Sequence, residues 1–217
     1  MHIFISFSLQ STSMNRFELV EKLRELDNPV YSTKMLGLIA GTNSPYVLAS
    51  RLCSSGVLCR IKNGLYALAG ESAEAVATAI IRPSYISFLS ALILHGAGTQ
   101  IPVQVQVAAA ASARAVKFAN YEITFHRTPA RAFGGFHPAK AGSKKYFVAG
   151  REKAIADCIA RPDLAGDEET ESAAAYFRRA SRFNLRAVEN FVRLYQNKSA
   201  LRRFIRFRRR FNGQKRA

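Results

Sequence analysis

Leu19, Val20, Leu23 and Leu26 recur at helical spacing on one stripe, which predicts a helix over about Met14 to Leu26 that ends before Asp27-Asn28-Pro29. Ser32 or Thr33 can cap a second helix carrying Met35, Leu36 and Ile39 and running to about Ala40, where Gly41 stops it. A third helix opens at Asn43-Ser44-Pro45. There a capping side chain precedes a proline, whose missing N–H is no loss in the first turn. Leu48 and Leu52 give this helix its buried side. Tyr46, Val47, Ser50 and Ser54 project to the other side, Arg51 lies on the flank, and Gly56 ends the run. Two β-type runs follow, Val57 to Ile61 and Leu65 to Leu68, separated by Lys62-Asn63-Gly64. Asn-Gly between such runs is a strong hairpin signal, with positive φ expected at both residues. Three helices and a hairpin make a winged helix-turn-helix.

The pattern changes after Gly70-Glu71-Ser72, the expected domain boundary. An Ala-rich helix is predicted to about Ile81. Past Arg82-Pro83 a second helix is predicted from Ser84, with Tyr85, Phe88, Leu89, Leu92 and Ile93 as its buried stripe, closing at His95-Gly96. Strands are predicted at Val103 to Ala108, Tyr121 to His126 and Lys145 to Val148, with a looser extended segment from Phe133 to His137 around Gly134-Gly135. From Arg151 onward the period is helical again. An amphipathic helix is expected over Glu152 to Ile159, and later helices from about Glu168, Asn184 and Ser199. The expected class is therefore α+β: an N-terminal winged helix over 14–70, then an α+β domain over 71–217 in which helices flank a small sheet. Residues 1–13 read as an N-terminal extension ahead of a natural beginning at Met14, because they lack the basic region and cleavage site of a signal peptide.

Charge adds a partner to this picture. The chain has 217 residues, with 32 Lys+Arg against 15 Asp+Glu and a formal net charge of +17. Residues 1–70 hold 7 basic and 4 acidic residues, so most of the excess lies beyond them. A small helical fold in a strongly basic chain points to double-stranded DNA. The third helix would enter the major groove N-terminus first, with Ser44, Tyr46 and Ser50 nearest the bases and Arg51 alongside. The wing would set Arg60, Lys62 and Asn63 against phosphates. This helix is poor in long hydrogen-bonding side chains, so readout of DNA shape is as open as readout of bases. Winged helices also serve as protein-binding modules, and the charge is what favours DNA here.

The last helix has its own charge pattern. Leu201, Phe204, Ile205 and Phe211 fall on one side, and Arg202, Arg203, Arg206, Arg209 and Arg210 on the other, with Arg208 intruding on the apolar stripe. The apolar side would dock on the domain and the arginines would track phosphates. A solvated basic face that only aids solubility is the plainer alternative.

Other chemistries are poorly served. Cys53, Cys59 and Cys158 suit packed thiols rather than a disulfide framework or a zinc site, and fit a reducing cytoplasm. No uncharged apolar run reaches the ~20 residues of a membrane helix. Glu122, His126, His137, Asp157 and Asp163 are the residues that a nuclease would have to draw on. The spacing of an acid followed by acid-x-lysine is missing, and Glu152-Lys153 is adjacent on a predicted helix. Gly134-Gly135 does not open a phosphate loop, and no serine sits in a nucleophile elbow. His95 is expected to cap a helix end as an imidazolium, and His126 to face the core or a strand neighbour. No catalysis, metal or cofactor is expected. An RNA- or ribosome-associated basic protein is the alternative to a DNA binder, although no aromatic stacking signature supports it.

Three segments carry a resemblance. Arg82-Pro83-Ser84-Tyr85-Ile86-Ser87-Phe88-Leu89-Ser90-Ala91-Leu92, with His95-Gly96 and Gln100-Ile101-Pro102 after it, is one. Ile123-Thr124-Phe125-His126 is the second, and Val148-Ala149-Gly150-Arg151-Glu152-Lys153-Ala154-Ile155-Ala156-Asp157 the third. Together they resemble the AbiEi-type antitoxins of type IV toxin–antitoxin and abortive-infection systems, over nearly the whole chain from Met14. The resemblance implies a winged helix followed by an α+β domain, and repression of the antitoxin–toxin operon at promoter inverted repeats. It also implies opposition to a nucleotidyltransferase-like toxin without a stable complex. The family's third helix and wing correspond to the segments holding Tyr46, Arg60 and Lys62. The C-terminus of this chain is more basic than the family pattern.

Overall fold

The structure is a computed structural model that describes residues 14–98, 103–180 and 183–213. The expected N-terminal extension and the Gln100-Ile101-Pro102 segment lie outside the described residues. The chain is mixed α+β and divides into two compact units, one up to Ala69 and one from Gly70.

In the first unit, α1 (Arg16–Glu25) starts two residues later than Met14 because Asn15 caps it. Its side chain accepts from the Glu18 amide at 3.0 Å, and the Glu18 carboxylate returns a bond to the Asn15 amide. Strand β1 (Tyr31–Ser32) leads into α2 (Thr33–Ala40), whose N-cap Ser32 accepts from the Met35 amide at 3.1 Å. Gly41, at φ +64°, provides the left-handed stop. Next come α3 (Pro45–Ser54), β2 (Leu58–Lys62) and β3 (Leu65–Leu68). The three strands form one antiparallel sheet in the order β1-β3-β2. Leu19, Leu23, Tyr31, Leu36, Ala49, Leu52, Leu58 and Tyr66 fill a shared core. The Tyr31 hydroxyl reaches the Leu23 carbonyl at 2.5 Å and ties the sheet to the end of α1.

The hairpin departs from expectation in its turn. Of Asn63 and Gly64 only Gly64 has positive φ, at +73°, and the β2–β3 register shifts between Arg60 and Lys62. The connection closes through a bulge with glycine in the left-handed position, not through a mirror-image two-residue turn.

The second unit holds a six-stranded sheet in the order β6-β7-β5-β4-β9-β8. Its strands are β4 (Ser84–Ile86), β5 (Gln104–Ala109), β6 (Ala113–Phe118), β7 (Tyr121–Arg127), β8 (Phe136–Ala141) and β9 (Lys144–Ala149). Strand β4 runs antiparallel to β5 and parallel to β9, while β5 and β7 are parallel. The helices are α4 (Ala73–Ile80), α5 (Phe88–Leu94), α6 (Arg151–Ala160), α7 (Asp167–Ala180), α8 (Leu185–Leu194) and α9 (Lys198–Gly213).

Two expectations are corrected here. Ser84 to Ile86 is a central strand, not the start of a helix. All three residues are buried, so no one-sided period marks them as a strand. The helix begins at Phe88 instead. Helix α6 is not amphipathic: Lys153 to Ala160 are all buried, because α5, α7, α8, α9 and β9 pack around it. Strand β6, an exposed edge strand, was not anticipated at all.

Candidate nucleic-acid interface

Helix α3 is packed through Ala49 and Leu52, and its other faces meet solvent. Tyr46 is 73% exposed and Val47 50%. Asn43, Ser44, Ser50, Arg51 and Ser54 are exposed as well. An isolated exposed apolar side chain is ordinary, but Tyr46 and Val47 adjoin on the first turn of a helix. Ser44 occupies the N-cap yet makes no side-chain capping bond, and Pro45 follows it at the first helical position. The amide donors of that first turn are therefore not used by the expected cap.

Helix α2 comes unusually close to this end. A Cβ on Gly37 would lie 2.9 Å from Cβ of Pro45, so only glycine permits the contact. Beside it, Lys34, Leu38, Thr42, Asn43 and Tyr46 border a shallow open groove. Lys34 is exposed. It is a cation that the sequence reading missed, although its place one residue inside the helix start could have flagged it.

On the hairpin, Arg60, Lys62 and Asn63 are exposed. The Arg60 guanidinium lies 5.8 Å from the centre of the Tyr66 ring, which supports its stem without consuming its charge. The side chains expected for DNA on α3 and on the hairpin are therefore all accessible.

Helix α9 sorts the arginines differently from the sequence reading. Ala200, Phe204, Phe207 and Phe211 are its buried side. Arg203 does not belong to an exposed face. Its Nε donates to the Ile159 carbonyl at 2.8 Å and a terminal nitrogen to the Ala160 carbonyl at 3.0 Å, closing the C-terminus of α6. Arg210 is paired with Glu171 of α7 at 2.9 Å, and Arg208 with Glu189 of α8 at 3.5 Å. These acids were invisible as partners because they lie on other helices. Arg202, Arg206 and Arg209 remain exposed on the opposite side.

A second constellation lies inside the second unit, where the first and third of the segments quoted for the family resemblance meet. Lys153 and Asp157 are fully buried, and Nζ donates to Oδ1 at 2.5 Å and to the Ala132 carbonyl at 2.7 Å. The Asp157 carboxylate also accepts from Ser87 at 2.6 Å, Tyr195 at 2.7 Å and Tyr85 at 3.3 Å. Burial, and then the Asp157 charge, push both tyrosines far above the usual phenol range. Phe88 sits beside this cluster at φ +54°, a strained position for a bulky residue, with its ring edge-on to His126.

His126 bonds the Thr124 hydroxyl at 3.0 Å. His95 caps the end of α5 as expected but not as an imidazolium: its Nε2 meets the Ala149 carbonyl at 2.7 Å, and burial lowers its pKa so that the neutral ring is favoured. Cys53 and Cys59 are half-buried and Cys158 is buried, where desolvation raises its pKa strongly. Among the described residues no group of three or more His, Cys, Asp and Glu is arranged to hold a metal ion, and no helix is long and apolar enough to cross a membrane.

No family model matches the chain, and no curated protein matches it significantly. Among solved structures it is similar to the RV2827C protein from Mycobacterium tuberculosis, with a TM-score of 0.57 at 16% identity, covering 87% of this chain and 74% of that one. At that identity the likeness is one of fold.

Proposed function

We propose that this chain is a DNA-binding antitoxin of the AbiEi type. Its first unit is a winged helix-turn-helix that represses the chain's own operon, with α3 as the recognition helix and the β2–β3 hairpin as the wing. Its second unit opposes a nucleotidyltransferase-like toxin without forming a stable complex with it. The observation that carries the DNA reading is the solvent-facing side of α3, with Tyr46, Ser50 and Arg51, in the same unit as a hairpin whose Arg60, Lys62 and Asn63 are all exposed. In a chain of net charge +17, those cations have polyanionic phosphate as their natural partner. The antitoxin reading rests on the sequence resemblance, whose first and third segments meet at Asp157.

The test is binding of the purified chain to duplex DNA from its own promoter and to a scrambled duplex, across a salt series. Tighter and more salt-resistant binding to the promoter is expected. Equal, steeply salt-sensitive binding to both would overturn the repressor reading. Co-expression with the product of the adjacent gene tests the other half: relief of growth arrest without co-purification is expected, and no relief counts against an antitoxin.

A further inference from the structure

Helix α9 carries a stripe of cations that form no ion pair among the described residues. Lys198, Arg202, Arg206 and Arg209 follow one another at spacings of four, four and three residues, so they share one face, opposite the buried Phe204, Phe207 and Phe211. All four are exposed and none forms an ion pair among the described residues. Arg206 also borders a groove with Asp167 and Glu171, but Glu171 is taken by Arg210. The helix contains no acidic residue.

This stripe works against the helix that bears it. Like charges at i,i+4 destabilise a helix, and a cation in the first turn opposes the helix dipole. Of the acids on neighbouring helices, Glu171 pairs with Arg210 and Glu189 with Arg208 on the flanks, and Asp167 borders the groove beside Arg206 without an ion pair to it. A charge pattern that weakens the fold and forms no ion pair among the described residues is suited to an external polyanion. The eleven residue steps from Lys198 to Arg209 span about 16 Å of helix. Over that length a DNA duplex presents a charge every ~1.7 Å, so each of the four cations can meet a phosphate.

We infer that the outer face of α9 is a second, sequence-independent contact for the phosphate backbone of duplex DNA, made by Lys198, Arg202, Arg206 and Arg209. This rests on the DNA-binding reading above, but not on α3 recognising an operator. The stripe adds affinity and salt dependence equally on every sequence.

The experiment compares the full chain with a variant carrying Lys198→Gln, Arg202→Gln, Arg206→Gln and Arg209→Gln, on promoter duplex, scrambled duplex and duplex RNA across a salt series. The slope of log K against log salt on both DNAs is expected to become shallower by about 3.6 units, at ~0.9 per phosphate contact. The variant's melting temperature should be unchanged or higher, because repulsion is removed. Arg208→Gln with Arg210→Gln serves as the control and should change the slope little, since those charges are already paired. An unchanged slope in the quadruple variant, or an equal change per residue in the control, overturns the inference. So does a change confined to RNA. If the parent chain shows no preference for its promoter, the operator reading fails, while the slope on scrambled DNA still decides the stripe.

Discussion

The Lys153 ammonium and the Asp157 carboxylate form an ion pair, four residues apart on α6, with neither side chain exposed to solvent. The polar groups bonded to this pair come from elsewhere: Tyr85 from β4 and Ser87 just after it, Ala132 from the turn after β7, and Tyr195 from the end of α8. The rings of Tyr85, Phe191 and Tyr195 lie 5.1 to 5.8 Å from Nζ, which adds cation–π attraction. Breaking such a pair from one side leaves a buried charge without its counter-ion. Lys153→Met or Asp157→Leu should each destabilise the second unit by about 3–5 kcal/mol, and the double substitution by less than the sum of the two. Urea unfolding of the four proteins checks this. Strictly additive losses would mean that the two groups do not depend on each other.

Acid should weaken the fold through two histidines. His95 and His126 both have pKa values lowered from 6.5, each chiefly by burial. His137 and Arg151 push His95 further down against Glu152, and Arg161 pushes His126 down against Asp163. The unfolded chain then binds more protons than the folded one, so their contribution is present above the unfolded value near 6.5 and is lost as pH falls through the lowered folded values. Stability measured by denaturant between pH 8 and pH 5 should decline below about 6.5. A variant carrying His95→Gln and His126→Asn should show a flatter profile over that interval. An identical slope in the variant would assign the decline to other groups.

Alanine ordinarily stabilises a helix interior relative to glycine by roughly 0.5–1 kcal/mol. At Gly37 the sign should reverse. The added methyl would meet the Pro45 ring at 2.9 Å, and the first turn of α3 would have to move away from α2. Gly37→Ala should lower the melting temperature of the first unit and weaken DNA binding with it. A stabilised variant with unaltered binding would show that the two helices can part without consequence.

Much of the first unit was legible because its signals are local. Ser32, Gly41, Pro45 and Gly64 each punctuate one backbone conformation, and the apolar stripes between them repeat at helical spacing. Asn63 was misjudged because two turn geometries share the Asn-Gly signal, and the β2 bulge that selects between them is a property of pairing. The second unit hid more. A three-residue strand such as β4, buried on both faces, has no period to detect, and β6 is an edge strand with mixed polarity. Arg203 and Arg210 were read as free because a helical wheel shows which side of a helix they occupy, not what stands beside them. The Asp157 network joins residues up to 72 positions apart. Tyr85, Ser87, Lys153 and Asp157 lie in the quoted segments, Ala132 and Tyr195 lie outside them, and nothing in the spacing states that they touch.

The two proposed DNA contacts of the first unit should fail differently when altered. Tyr46 and Ser50 lie on the exposed side of α3, and neither is a basic side chain. Tyr46→Ala with Ser50→Ala should therefore reduce the preference for promoter over scrambled duplex by about ten- to a hundredfold, at 1–3 kcal/mol for lost base contacts, while leaving the salt slope alone. Arg60 and Lys62 are exposed cations on the hairpin. Arg60→Gln with Lys62→Gln should weaken both duplexes alike and flatten the slope by about 2 units, near one per phosphate contact. Fluorescence anisotropy titrations at four or more salt concentrations read both quantities from the same data. Should the α3 variant lose affinity equally on both duplexes, α3 would be a backbone contact and specificity would have to come from the shape of the DNA. Should the hairpin variant lose only promoter binding, the wing would be the element that reads sequence.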